Sequence, residues 1–182
     1  GAGTRPNLTS FEEKNHVKGA MISAVDLLKG IAIGAGMKVI EVPGANGTLH
    51  TNYEGKAKAA IKVLLEEGYD FVYVHVEAPD EMGHQGNVDN KIKSIEYLDQ
   101  RVIQVIKDEM DKEKVDYRLL IMPDHPTPIK LRTHTSDPVP YLIYDSTGFK
   151  KNNCKYNEND VKASGNTVLN GYTIIDKLLN KR

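Results

Sequence analysis

Three short patterns bring together side chains able to hold metal ions: Asp80 and His84 four positions apart, the adjacent Asp124 and His125, and then His134. Carboxylate and neutral imidazole are hard and borderline donors, a mixture that suits Mn2+ or Zn2+ better than Ca2+ or Mg2+. A four-residue separation is about one helical turn or a tight loop, so Asp80 and His84 can face one ion. Adjacent residues do not easily give both side chains to one ion. Asp124 and His125 more naturally reach towards two neighbouring ions or serve a second. Five such donors make most of a two-ion site, and two ions about 3.5–4 Å apart can clamp the attacking and leaving oxygens of a phosphoryl group. Arg132, two residues before His134, is placed to contact a phosphate or support a ligand.

The apolar patterning supplies elements that would carry these residues to one place. Phe71–Val76 is a continuous apolar run that reads as a buried strand, and Asp80 follows four residues later. Tyr117–Met122 reads as another strand, with Asp124 and His125 just beyond it; His134 lies on the connection 126–138, before a further strand at Val139–Tyr144. Ligands of open α/β sheets gather beyond the carboxyl ends of strands, so all three patterns are expected at one edge. A lone Asp-x3-His is common without metal, and Asp-His after a strand can be a turn with a capped helix. Spacing alone leaves both readings open.

The remaining chain fits the same plan. Ser10-x-x-Glu13 and Thr51-x-x-Glu54 have capping-box form and predict helices over about 11–16 and 51–67, the second stopping at Gly68. Val17–Ser23 and Lys38–Val42 read as strands, Val25–Ala35 as a helix ending at Gly36. A long helix over about 88–112 would point Ile92, Ile95, Leu98, Val102, Val105 and Ile106 inward, and Thr173–Leu179 would close the chain as a helix. Alternating helices and β-branched strands predict one α/β domain, a mostly parallel sheet flanked by helices on both faces.

Composition narrows the function classes. Basic and acidic residues number 24 and 25, interspersed, for a formal net charge of −1. A nucleic-acid binder would show a basic stripe and a membrane anchor a polybasic segment, and neither is visible. The apolar runs fall far short of the ~20 residues of a membrane helix. A single cysteine, Cys154, cannot form an internal disulfide, so a cytoplasmic location is the default. The chain opens Gly1-Ala2-Gly3 without an initiator Met, so either a leader was removed or the chain begins inside a longer protein, the second being the expectation.

The words around the donors carry a resemblance. His75-Val-Glu-Ala-Pro-Asp80-Glu-Met-Gly-His84, Pro123-Asp-His-Pro-Thr-Pro128 and Arg132-Thr-His-Thr-Ser-Asp-Pro-Val-Pro140 resemble the cofactor-independent phosphoglycerate mutases. The match is to the branch first described in archaea, within the alkaline phosphatase superfamily. Ala24–Gly30, Val42–Gly47 and Asn52–Lys56 are similar to that branch as well, and the likeness weakens beyond about residue 145. It implies an alkaline-phosphatase-like core, here partial. It also implies two divalent ions (Mn2+ or Zn2+), no organic cofactor and a small phosphorylated substrate. Asp80, His84 and His134 would hold one ion. Asp124 and His125 would hold the other, with an Asp and a nucleophilic Ser that have no counterpart here. Ser10 and Ser23 sit in no matching motif, and only 79 residues precede Asp80 where the family places its nucleophile and an inserted substrate domain. The expectation is therefore the C-terminal part of an enzyme that interconverts 3- and 2-phosphoglycerate through a phosphoserine. The missing N-terminal part would be its partner, some apolar surface would be left exposed, and the chain alone would be inactive. Another phosphohydrolase or phosphotransferase of the superfamily, or a non-catalytic metal-binding module, are the competing readings.

Other residues have plainer alternatives. Lys29 and Arg5 could reach a phosphate, though a lysine near a helix end also answers the dipole. His75 orients a ligand or is a satisfied near-core histidine. His16 and His50 lack partners in sequence and are expected at the surface. The turn Pro43–Gly47 could cradle a phosphate, a weak signal alone. Tyr53, Tyr73, Tyr97, Tyr141 and Tyr144 fall on core-compatible spacings.

Overall fold

The computed structural model describes residues 7–148 and 154–179; Arg5 lies outside the described residues. Strands β1 (Gly19–Ile22), β2 (Lys38–Val39) and β3 (Phe71–Val74) form a parallel sheet in the order β2-β1-β3. Gly19 pairs with Phe71 and Ile22 with Val74, while Ala20 pairs with Lys38. Helix α1 (Phe11–Asn15) precedes β1, α2 (Asp26–Gly34) joins β1 to β2, and α3 (Tyr53–Leu65) joins β2 to β3. The chain steps outward from β1 to β2 and then back past β1 to β3. Right-handed connections therefore put α2 and α3 on opposite faces and open a crevice between the ends of β1 and β3.

Beyond β3 come α4 (Ala78–His84), α5 (Val88–Leu98), a π-helical turn (Asp99–Ile103) and α6 (Gln104–Lys112). Ile22 of β1, Tyr53, Ala57 and Ala60 of α3, and Val102, Ile106 and Met110 form the core, with Ala78 at the start of α4. The alanines let α3 lie close to the sheet. The single helix expected over 88–112 is continuous but interrupted in register. A π turn inserts one residue and rotates the apolar stripe. Val102 and Ile106 face the core as expected, whereas Ile92 and Ile95 are about half exposed, at 52% and 51%. Leu27, Ile31 and Ile33 on α2 are exposed too.

Neither capping box forms. Ser10 makes no side-chain cap bond to α1. The cap of α3 is Asn52, whose Oδ1 accepts from the Gly55 N–H at 2.9 Å. Thr51 instead accepts from the Asn46 N–H at 3.0 Å, and Glu54 takes a bidentate pair from Arg101 at 2.5 and 2.8 Å.

The two later strands depart from the expected parallel arrangement. β4 (Arg118–Ile121) and β5 (Leu142–Asp145) pair antiparallel, Arg118 opposite Asp145, as a separate two-stranded sheet. A parallel crossover needs a helix or a long return path. The segment 122–141 carries five prolines (123, 126, 128, 138 and 140) and forms no helix. The cross-strand Arg118–Asp145 ion pair, 2.6 Å, fixes the register. Short helices α7 (Glu158–Ala163) and α8 (Ile174–Leu178) follow, the latter preceded by a 3-10 turn at Gly171–Thr173. Among the described residues no helix is long and apolar enough to cross a membrane.

The crevice between β1 and β3 is closed by a buried ion pair. Lys56 on α3 is fully buried; its ammonium donates to Glu77 Oε2 at 2.8 Å and to the His75 carbonyl at 2.6 Å. Glu77 Oε1 accepts from the Ala24 N–H at 2.9 Å. Removing one partner of such a pair strands the other charge in a low-dielectric interior, at a cost of about 3–5 kcal/mol. Glu77→Gln is expected to lose about that much in urea denaturation of the metal-stripped chain. The double variant Lys56→Met/Glu77→Leu should regain part of it. Equal losses in the two variants would show that the pair's charges are not what the fold requires.

Candidate metal centre

Pro79 occupies the first turn of α4, where its missing N–H and fixed φ cost nothing. The helix places Asp80 and His84, at i and i+4, on one face, His84 Nε2 3.4 Å from Asp80 Oδ1. The 122–141 connection then folds back over α4. His134 Nε2 stands 3.3 Å from Asp80 Oδ1 and 3.0 Å from His84 Nε2. The three donor atoms form a triangle that could hold an ion. A tetrahedral ion with bonds of about 2.0–2.1 Å spaces its ligands by about 3.3–3.4 Å, so the edges to Asp80 match it and the His84–His134 edge needs to open slightly.

The tautomer of His84 suits an ion. His84 Nδ1 lies 3.0 Å from the Arg132 carbonyl, which can only accept, so Nδ1 carries the proton and Nε2 presents a bare lone pair to the triangle. Arg132 adopts φ +55°, a left-handed conformation that turns this carbonyl towards the ring. Its guanidinium lies against the Gly86 backbone, where φ is +67° and any side chain would collide with it.

Asp124 and His125 lie beside the triangle. His125 Nε2 is 3.5 Å from Asp124 Oδ2, so the two adjacent side chains converge on one point and can serve one ion. The non-helical backbone beyond β4 turns both side chains to the same side. The His125 ring stacks on His134 with centroids 3.6 Å apart, and His125 Nδ1 is 4.0 Å from Asp80 Oδ1. The second set is thus adjacent to the first and has two protein donors.

His75 is largely buried, held on its Nδ1 side, and approaches Asp124 with its Nε2. Its Nε2 is 3.8 Å from Asp124 Oδ2, and its Nδ1 is 3.2 Å from Glu77 Oε1 and 3.3 Å from Ser23 Oγ. Burial alone would push His75 down, but the Asp124 and Glu77 carboxylates overcome it and raise it to about 9. Burial pushes Glu77 up, yet His75 and Lys56 hold it at about 2. Asp124 is held at about 2 chiefly by His75.

The sequence reading gave no role to Lys56, Glu77, Thr127 or Lys91. Thr127 donates from its hydroxyl to Asp80 Oδ1, and its carbonyl accepts from Lys91 Nζ at 2.7 Å. The one local signal was that Lys56, Glu77 and Thr127 lie inside the resembling words.

Other candidates take their plainer readings. Lys29 is paired with Glu41 at 2.9 Å. In the Pro43–Gly47 turn the Ala45 N–H is bonded to the Val42 carbonyl and the Asn46 N–H to Thr51, so both donors are committed within the fold. His16 and His50 are exposed. Ser23 is buried and accepts from the Val25 N–H at 3.0 Å, unsuited to attack. Ser10 packs beside Gly36, where a Cβ would meet its Oγ at 3.5 Å. Tyr53 is fully buried, its hydroxyl without a hydrogen-bond partner, and Tyr73 is partly exposed.

Comparison with known proteins places the chain. The profile of the Metalloenzyme superfamily matches residues 1–170. The chain is 45% identical over 182 residues to the probable 2,3-bisphosphoglycerate-independent phosphoglycerate mutase of Geobacter sulfurreducens, covering 100% of this chain and 45% of that protein. The structure of the PH0037 protein from Pyrococcus horikoshii superposes with a TM-score of 0.86 at 34% identity, over 99% of this chain and 54% of that one. The cofactor-independent phosphoglycerate mutase from Thermoplasma acidophilum shares the fold at a TM-score of 0.65 and 23% identity, over 96% and 40% of the two chains. The chain spans about half the length of these relatives, or less.

The shifted groups fix a pH window for stability. Glu77, depressed from 4.5 to about 2, stabilises fully above its unfolded value and loses that contribution as pH falls from 4.5 towards about 2. His75, raised from 6.5 to about 9, stabilises fully below its unfolded value and loses that contribution as pH rises from 6.5 to about 9. Thermal melts of the metal-stripped chain should therefore plateau between about pH 4.5 and 6.5 and fall on either side. His75→Gln should flatten the alkaline limb; an unchanged limb would assign it to other groups.

Proposed function

The chain belongs to the metalloenzyme superfamily, and from that premise we propose that it is the donor-bearing part of a longer cofactor-independent phosphoglycerate mutase, a cytoplasmic enzyme interconverting 3- and 2-phosphoglycerate in glycolysis and gluconeogenesis. Superfamily membership and the donor triangle together imply dependence on a divalent metal ion. The observation that carries the reading is that triangle, reached from two distant segments at ion-binding spacing.

In this proposal Asp80, His84 and His134 hold one ion, Mn2+ or Zn2+, and Asp124 and His125 contribute to a second completed by groups from the rest of the protein. When bound, such ions supply positive charge against the charge that builds on a transferring phosphoryl group. The chain's residues do the positioning. The Arg132 carbonyl keeps His84 Nε2 bare, and His75 faces the Asp124 carboxylate. The exposed Arg132 guanidinium, beside the triangle, would take a substrate phosphate through paired N–H donors. Neither Ser10 nor Ser23 is placed to attack, which supports a nucleophile supplied by the remainder of the protein and an inactive isolated chain. The coverage of the relatives, 45% of the Geobacter protein, supports the same division.

Titration of the metal-stripped chain with Mn2+ and with Zn2+, alongside His134→Ala, tests the centre. About one tightly bound ion is expected per chain, lost in the variant. Absence of binding by the unaltered chain, or binding untouched by His134→Ala, would overturn the assignment. In a longer protein carrying this segment, isomerisation of 3-phosphoglycerate rather than release of free phosphate is the expected activity.

A further inference from the structure

Thr127 lies between the two donor sets and is 5% exposed. Its hydroxyl donates to Asp80 Oδ1, and an ionised carboxylate only accepts, so this bond uses the hydroxyl's one proton. The same oxygen stands 3.3 Å from His125 Nδ1. With its proton committed to Asp80, the oxygen can only accept there. That contact favours a proton on His125 Nδ1, which would free Nε2, 3.5 Å from Asp124 Oδ2, for an ion.

Thr127 is itself held from two helices. Lys91 on α5 donates to its carbonyl at 2.7 Å. Gly83 on α4 lets the segment approach: a Cβ there would stand 2.6 Å from that carbonyl, 2.8 Å from Lys91 Nζ and 3.0 Å from the Thr127 methyl group. The hydroxyl is therefore fixed relative to Asp80, which α4 also carries, and to His125, two residues away in sequence.

We propose that Thr127 is a positioning residue that links the two ion subsites, setting the donor oxygen of Asp80 on one side and the ring tautomer of His125 on the other. The inference rests on the metal centre proposed above. It extends that centre, because neither donor set alone accounts for a buried hydroxyl that touches both. A hydrogen bond behind a metal ligand orients it, and its loss typically costs about 10–100-fold in affinity.

Thr127→Val keeps the methyl group against Gly83 and removes the hydroxyl; Thr127→Ser keeps the hydroxyl. Two readouts are taken on each metal-stripped chain: Mn2+ affinity by titration, and the His125 tautomer by long-range 1H–15N NMR of the imidazole. The expected result is about 10–100-fold weaker Mn2+ binding in Thr127→Val. The Nδ1–H population of His125 should also fall, with the unfolding midpoint near that of the unaltered chain. Thr127→Ser should restore both. Unaltered Mn2+ affinity together with an unaltered tautomer in Thr127→Val would overturn the link. If even the unaltered chain binds no Mn2+, the centre proposed above fails and the tautomer alone decides: a lower Nδ1–H population in Thr127→Val supports the link and no change overturns it. Should Thr127→Val not fold, Thr127→Ala, which also removes the hydroxyl, is read the same way.

Discussion

The buried contact between Lys56 and Glu77 is the constraint from which the site's geometry follows. Two charges inside a protein are tolerated only when each is paired and its remaining hydrogen-bonding capacity is met. Glu77 meets that condition by taking Lys56 from α3, the Ala24 N–H beyond β1, and His75 beyond β3. Three elements are thereby tied at the crevice between the parallel strands. Glu77 is also the residue from which α4 springs, so the pair that closes the crevice sets where Asp80 and His84 begin.

From that anchor the structure grades outwards from buried supports to open donors. Lys56 and Glu77 are buried, and Thr127 nearly so, whereas Asp80, His84 and His134 reach solvent. Groups behind the donors decide which lone pairs face outwards. The Arg132 carbonyl does this for His84, and His75 faces the Asp124 carboxylate. Ligand identity alone would not make a centre; rings free to choose their tautomer or rotamer would lose affinity to the cost of ordering them. The 122–141 connection matters for the same reason. Its prolines exclude a crossover helix and keep the segment over α4, where His134 completes the triangle.

Some of this was legible in the chain as written. Asp80 and His84 share a helical face because four residues make about one turn, a local fact. The parallel strands announced themselves as β-branched apolar runs, and α3 as an alanine-rich stripe closed at Gly68. Asp124 and His125 could be placed at the same edge because they follow a strand. Other features could not be read this way. Lys56 and Glu77, 21 residues apart, look in sequence like two ordinary surface charges. The π turn at Asp99–Ile103 has no periodic signature, so Ile92 and Ile95 were assigned to the core face they do not join.

By itself, then, the sequence determined the donor types, the order in which they occur and the local spacing of Asp80 and His84, since composition and helical periodicity are properties of neighbouring residues. Its motif words also carried the resemblance to the cofactor-independent phosphoglycerate mutases. Tertiary structure alone decided that Asp124 and His125 come to lie against the triangle, that β4 and β5 pair with each other, and that Lys56, Glu77 and Thr127 stand behind the donors. Each of those outcomes depends on long-range contacts: a buried charge seeking its partner, a proline-rich connection folding back, and a hydroxyl with one proton to give.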